Sequence, residues 1–250
     1  MPEERQVSED LIVGKNPVLE ALRSDVQVDK ILLVQGGLSS GMQAIISKAK
    51  AKNIPIKTIS KTKLDFISNN AVHQGVAAYT APKKYCSIED ILNYAKEKNE
   101  DPFVIICDGI EDPHNLGAII RTAEAAGAHG IIIPKNNAAS LTHTTAKASS
   151  GAFLHMNIAR VTNITNTIKA LKQSGLWIYC ADMDGSPSKS FDLTGAIGLV
   201  VGSEGKGISR LVKENCDGVL SLPMKGKINS LNASVAAGIL MYDILRQKDR

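Results

Sequence analysis

The chain has 250 residues, a net charge of +4, 44% hydrophobic residues and only 4% aromatic ones. That suffices for one large domain or two modest ones, with cores built from Ile, Leu, Val and Ala. No apolar run reaches the length of a membrane span, and the opening MPEERQVSED is polar and acidic, unlike a signal peptide. The mild positive charge permits a polyanionic partner without demanding one. Cys86, Cys107, Cys180 and Cys216 are far apart and form no CxxC, which reads as reduced thiols in a cytoplasmic protein. The five histidines, His73, His114, His129, His143 and His155, form no HxxxH or HExxH pair, so no metal is expected.

Residues 11–80 alternate short helices and strands. GKNPVLEALRS predicts a helix with Asn16 as N-cap and Pro17 in the first turn. KILLVQ follows as a strand, GMQAIISKAKAKN as a helix, IPIKTIS as a strand, KTKLDFISN as a short helix and QGVAAYTA as a strand. This is a small α/β unit, assigned to 1–80. Lys48, Lys50, Lys52, Lys57, Lys61 and Lys63 fall within it with no acid between Lys48 and Lys63. They read either as a solvated face or as a phosphate-binding patch, with Asn69, Asn70, His73 and Gln74 near enough in sequence to meet nucleotide edges.

Residues 81–101 are polar and charged and read as a linker carrying a helix over about 87–98. From Pro102 to the end, 102–250, the pattern is that of a doubly wound α/β domain. PFVIICDGI is a strand apolar on both faces, as in a covered parallel sheet. NLGAIIRTAEAAG is a helix, GIIIP a strand, LTHTTAKASSGAF partly helical, and TNITNTIKALKQSG a helix closed by Gly175. LWIYCAD, AIGLVVG and GVLSLP are strands, and 231–247 is the last helix.

Ligands in open α/β sheets gather where strands end. Three segments leave strands there with unusual polar content. In DGIEDPHNLGAIIRTAEAAG, Asn115 is a reasonable helix cap, but Arg121 is out of place on a helix of Ala, Ile and Leu. GLVVGSEGKGISRL ends a strand at Gly202 and follows it with Ser203, Glu204, Gly205, Lys206 and Gly207, yet matches neither the P-loop nor the dinucleotide template. Glu204 there could simply favour a helix dipole. In LPMKGKINSLNAS, Ser230 or Asn232 can cap the final helix. One cap does not need Asn229, Ser230, Asn232 and Ser234 together. The helix that follows is apolar on nearly every face, as in a helix buried all round or set against a partner subunit.

Each segment alone is a weak signal, but the ordered trio NLGAIIR, GSEGKG and LPMKGKINSLNAS resembles the three signature motifs of the SpoU/TrmH family. These are 2′-O-ribose RNA methyltransferases of the SPOUT superfamily, and the likeness covers about 102–247. Residues 11–80 look like the L30e-like RNA-binding domain that some members carry. The two-domain arrangement is most similar to the branch that methylates a guanosine of bacterial 23S rRNA. The resemblance implies a parallel-sheet SPOUT domain with a deep trefoil knot, S-adenosylmethionine as cofactor, a homodimer and no metal. By residue, it implies Gly202, Leu222, Met224 and Leu231 at the cofactor. It implies Arg121 as the catalytic arginine, with Asn115, Glu204, Ser230 and Asn232 orienting the arginine, the ribose or the cofactor. One departure lies outside the three motifs: Leu154 and Asn157 stand where related sequences often have Glu and Pro. Three other readings stand beside this one: a tRNA ribose methyltransferase, an RNA-binding or ribosome-assembly protein without catalysis, and a nucleotide-dependent oxidoreductase, which lacks a matching fingerprint.

Overall fold

The computed structural model describes residues 11–23, 26–35, 40–80, 84–227 and 230–249. The acidic N-terminal decapeptide and Asn229 lie outside these. By packing, the chain divides into two units, Met1–Lys84 with Ser140–His143, and Tyr85–Ala139 with Thr144–Arg250.

In the first unit, β1 (Leu11–Val13), β2 (Val28–Val34), β3 (Ile56–Ile59) and β4 (Val76–Thr80) form a sheet in the order β1-β4-β2-β3. Strand β2 shows why it is covered on both sides. Ile31 and Leu33 join Val18 of α1 (Lys15–Ala21) and Ile45 of α2 (Ser40–Ala51) in one core. Leu32, pointing the other way, joins Leu64 of α3 (Lys61–Ile67) in a second. Helix α1 departs from the expected capping. It begins at Lys15, so Asn16 lies inside its first turn instead of capping it. The Gly14 carbonyl accepts from Val18 N at 3.1 Å, and Lys15 N–H is donated to Gln74 Oε1 at 3.2 Å. Pro17 is tolerated because a first-turn nitrogen has no intrahelical partner. The three-residue β1 is too short to show a period in sequence and exists by pairing with β4.

The second unit holds a six-stranded, all-parallel sheet. Its strands are β5 (Phe103–Asp108), β6 (Gly130–Pro134), β7 (Ile158–Val161), β8 (Trp177–Pro187), β9 (Ile197–Gly202) and β10 (Gly218–Ser221). They lie in the order β10-β8-β9-β5-β6-β7. The helices are α4 (Ile88–Glu97), α5 (Pro113–Ala125), α6 (His143–Ala148), α7 (Ile164–Gln173), α8 (Arg210–Glu214) and α9 (Ala233–Lys248). From Tyr85 on, the segment read from sequence as a linker is packed into this unit. Ile91 of α4 shares a core with Val104, Ile106 and Ile168, and Cys86 bridges to Ala159 of β7. Strand β8 also outruns its sequence pattern. It continues past Asp182 to Pro187 because β10 pairs along it, with a register shift between Val219 and Leu220. None of the four cysteines forms a disulfide. No described helix is long and apolar enough to cross a membrane.

His129 lies just before β6, 2% exposed. Its Nδ1 accepts the Phe103 N–H at 3.0 Å, which puts the ring proton on Nε2, 3.0 Å from Glu100 Oε2. Burial holds its pKa below the ordinary 6.5, and the hydrogen bond to Glu100 offsets this only in part. The unfolded chain therefore binds a proton that the folded chain does not. Stability from this residue is complete above about pH 6.5 and is lost as pH falls from there through the lowered folded value. A His129→Gln protein is expected to be about 1–3 kcal/mol less stable at pH 7. Its melting temperature should vary less with pH between 7 and 5, by differential scanning fluorimetry. Equal slopes for the two proteins would refute this.

Candidate functional site

Asp108 of β5 and Gly202 of β9 pair in register, so the loops that follow both strands leave the sheet side by side. After β5, Asp112 caps α5 by accepting from His114 N at 2.9 Å, with Pro113 opening the helix. The cap is therefore Asp112 and not Asn115, whose side chain is released for another use. After β9, Ser203 N–H is donated to Gly207 O at 3.1 Å and Gly207 N–H to Ser203 O at 2.9 Å, which closes GSEGKG into a tight turn. Gly207 sits at φ +64. A Cβ on Gly202 would lie 2.3 Å from the Gly207 carbonyl carbon and 2.5 Å from Ile208 N, so only glycine permits this crossing.

The third segment meets the other two at Asn232. Its Oδ1 caps α9, accepting from Ser234 N at 3.0 Å, Val235 N at 3.3 Å and Ser234 Oγ at 2.6 Å. Its Nδ2 is donated to Asn115 Oδ1 at 2.9 Å and to Glu204 Oε1. Asn115 Nδ2 is donated to the same Glu204 oxygen at 2.9 Å. One side chain thus caps a helix and completes a three-residue cluster drawn from all three segments.

Beside this cluster is a cavity of about 370 Å³. Gly202, Leu222, Met224 and Leu231 line it, as do Glu204 and Ser230. Its remaining wall is mostly apolar, with Val201, Leu220, Ala233 and Leu240. Asp182 also lines it, a residue that sequence reasoning missed. Asp182 Oδ2 accepts from Lys213 Nζ at 2.8 Å, and Asp184 Oδ1 accepts from the same nitrogen at 2.6 Å. These bonds, that to Asp182 first, push the Lys213 pKa up. The one available sequence signal was the run of alternating acids Asp182 and Asp184 at the end of an apolar strand.

Arg121 lies apart from the cluster and lines neither this cavity nor its neighbour. It is exposed, and its guanidinium donates to Ser150 Oγ at 3.1 Å. Gly117 explains the placement. A Cβ there would lie 2.4 Å from Ala148 Cβ and 2.8 Å from Thr145 O, so α5 rests directly on α6 and the residues after α6 come within reach of Arg121. Asn115 and Arg121 are separated by about 9 Å along the helix axis.

The six lysines are all exposed in the first unit, but they do not share one face. Lys48 and Lys50 lie on α2, Lys61 and Lys63 on α3 on the opposite face of the sheet, and Lys57 on the edge strand β3 between them, with Lys52 just past α2. They surround an edge. His73 also differs from its expected role. It is buried, its Nδ1 accepts from Gly75 N at 2.9 Å and its Nε2 donates to Asp65 Oδ1 at 2.7 Å. Both nitrogens brace the loop between α3 and β4. Among the described residues no group of three His, Cys, Asp or Glu side chains could hold a metal ion.

Comparison with known proteins matches residues 102–242 to the SpoU rRNA Methylase family and residues 11–86 to a family described as RNA 2′-O ribose methyltransferase substrate binding. A Bacillus subtilis protein named as a TrmH family tRNA/rRNA methyltransferase is 46% identical over 241 residues, covering 96% of each chain. A Staphylococcus aureus protein of the same description is 43% identical over 243 residues, covering 97% of this chain and 98% of its own. The SpoU methyltransferase AviRb from Streptomyces viridochromogenes, solved with AdoMet, has the same fold. Its TM-score is 0.60 at 24% identity, covering 96% of this chain and 90% of its own. The TrmH/SpoU tRNA modifying enzyme of A. aeolicus has a TM-score of 0.55 at 27% identity, covering 60% of this chain and 77% of its own.

Proposed function

The chain belongs to the SpoU methylase family, and on that premise we propose that it methylates the ribose 2′-hydroxyl of a guanosine in 23S rRNA, using S-adenosylmethionine. That it is an RNA 2′-O-ribose methyltransferase follows from the family. The guanosine and the ribosomal target are the finer reading. The observation that carries the mechanism is the bonding of Asn115, Glu204 and Asn232 at the rim of an apolar cavity.

The cavity suits the cofactor. Its volume of about 370 Å³ is that of a small-molecule site. Leu222, Met224 and Leu231 offer apolar walls, and Gly202 removes the Cβ that would fill the close crossing below them. When bound, S-adenosylmethionine supplies an electrophilic methyl on a sulfonium, which calls for no metal. The remaining chemistry falls to the chain. Asn115 and Asn232 fix one oxygen of Glu204, leaving Oε2 to accept a hydrogen bond from the 2′-hydroxyl. Ser230 lines the cavity close by in sequence and helps to orient the ribose. A guanidinium is ill suited to act as base, and Arg121 lines neither cavity of its own chain, so in this reading it stabilises the developing alkoxide and holds phosphate from across a homodimer, its neighbours Ala118 and Thr122 lying at the proposed interface. The threading of the C-terminal segment into a trefoil knot belongs to this reading.

The ribosomal target is supported by the substrate-binding match over 11–86. The tRNA modifying enzyme, by contrast, covers only 60% of the chain. The exposed lysines around β3 suit a phosphate backbone, and a cytoplasmic setting suits both substrate and reduced cysteines. Tritiated methyl transfer to 23S rRNA lacking the modification, followed by nucleoside analysis, is expected to yield 2′-O-methylguanosine. Label on tRNA alone would move the target to tRNA. No label on either RNA, with no cofactor binding, would leave an RNA-binding protein.

A homodimer is the proposed working form. Val235, Ile239 and Tyr242 of α9 are exposed at 50%, 40% and 39%, beside Ala118 and Thr122 of α5. Ile239→Asp is expected to yield monomers in sedimentation velocity, with methyl transfer reduced at least tenfold. A variant that sediments as the wild type does would count against this interface.

A further inference from the structure

A second cavity, of about 280 Å³, opens beside the first. The turn Gly109–Asp112 lines it from one direction and Ser203–Lys206 from another, with Asn115 between in the site cluster. Residues Ser203 to Lys206 line both cavities. A group in the second cavity therefore touches the same tight turn as one in the first. That is the relation required of a nucleoside whose 2′-oxygen must reach a methyl donor.

The charges in this cavity have a definite origin. Gly109, at φ +73, turns the chain after β5, and Ile110 is then buried, its carbonyl accepting from Ala139 N at 2.7 Å. Glu111 is left exposed at the cavity. The carboxylate of Asp112 is already engaged as the cap of α5. Glu111 and the Lys206 ammonium make no hydrogen bond or ion pair with a described side chain, yet both line this one space.

This combination selects among bases. Guanine presents N1–H and N2–H₂ as adjacent donors, which match the two oxygens of a carboxylate, and O6 as an acceptor for an ammonium. Adenine presents a bare N1 lone pair to the carboxylate and an N6 donor where the ammonium would sit. Enzymes acting on one nucleotide take it out of the stack and read its Watson–Crick edge in this manner. We infer that the second cavity receives the base of the target nucleotide, and that Glu111 and Lys206 read it as guanine. The inference rests on the ribose-methylation reading above and adds the residues that set its specificity.

The test is a binding one, so that it can fail separately from methyl transfer. Wild-type protein saturated with S-adenosylhomocysteine is titrated with guanosine, inosine and adenosine 5′-monophosphates, followed by NMR chemical-shift changes at Gly109 and Gly205. Guanosine monophosphate is expected to bind most tightly. Glu111→Gln is expected to weaken it about tenfold. The inosine compound, which lacks the N2 amine, should be affected less. S-adenosylhomocysteine affinity should be unchanged in that variant, which also reports correct folding. Lys206→Gln is expected to weaken the guanosine and inosine compounds equally, since both carry O6. No preference among the three nucleotides, no shift at the two glycines, or a preference that survives Glu111→Gln would overturn the inference. If these bindings hold but labelled methyl never reaches RNA, the ribose-methylation reading fails instead.

Discussion

An Arg121→Ala protein is expected to transfer methyl groups to RNA about 10²–10³ times more slowly than the wild type, with its affinity for S-adenosylmethionine unchanged. The size is that of removing one donor aimed at a developing oxyanion. The split between rate and affinity follows from position, because Arg121 lines neither cavity and bonds only to Ser150 among the described side chains. Its side chain is exposed, so truncation leaves no cavity and no buried partner, and the fold should survive. Arg121→Lys keeps the charge and loses the planar fork, so its rate should fall between the two. Single-turnover rates with saturating cofactor, together with cofactor titration, measure both quantities. Wild-type speed in the alanine variant would remove Arg121 from the mechanism.

Gly202→Ala is expected to abolish measurable cofactor binding and to lower the melting temperature. The added carbon would sit 2.3 Å from one backbone atom and 2.5 Å from two others, and backbone in a closed turn cannot rotate aside as a side chain would. Overpacking of this kind costs about 1–3 kcal/mol where neighbours can relax, and here the strain falls on the turn that walls the cavity. Gly205→Ala supplies the comparison. It lies in the same turn, but a Cβ there meets nothing within 4 Å, so it should bind cofactor nearly as the wild type does. Isothermal titration of both variants decides the matter. Equal losses would mean that the turn tolerates no side chain anywhere, and that the crossing at Gly202 is not special.

The two variants also mark where the sequence was legible. Strands such as Phe103–Asp108 and Ile197–Gly202 announce themselves because both faces are covered and nearly every position is apolar. The polar segments after them stand out against that background, which is why Asn115, Glu204 and Asn232 could be singled out. Their mutual bonding could not be. It depends on Asp108 and Gly202 being neighbours in register, a fact about strand order that no local pattern carries. Capping escapes local pattern for a similar reason. Asn16 and Asn115 are good caps by type, but Gly14 and Asp112 precede them and close the turns first. Residues 81–101 read as a linker because α4 shows water a charged face. Its other face supplies Ile91, which fills the space left by the missing side chain of Gly130. The lysine run was visible, while its division between α2, β3 and α3 was not, because three elements with different periods share it.

That division has a consequence for the edge of the sheet. Among the described residues, strand β3 is an open edge of the four-stranded sheet, only four residues long, with Lys57 and Thr58 exposed. An unpaired edge is a template onto which a strand from another molecule can add, and short length and positive charge are the two common defences against it. Two copies of this unit meeting edge to edge would bring Lys57 and its flanking lysines against their own images. Like charges meeting across such an edge repel, so these lysines oppose growth of the sheet by addition of a second copy.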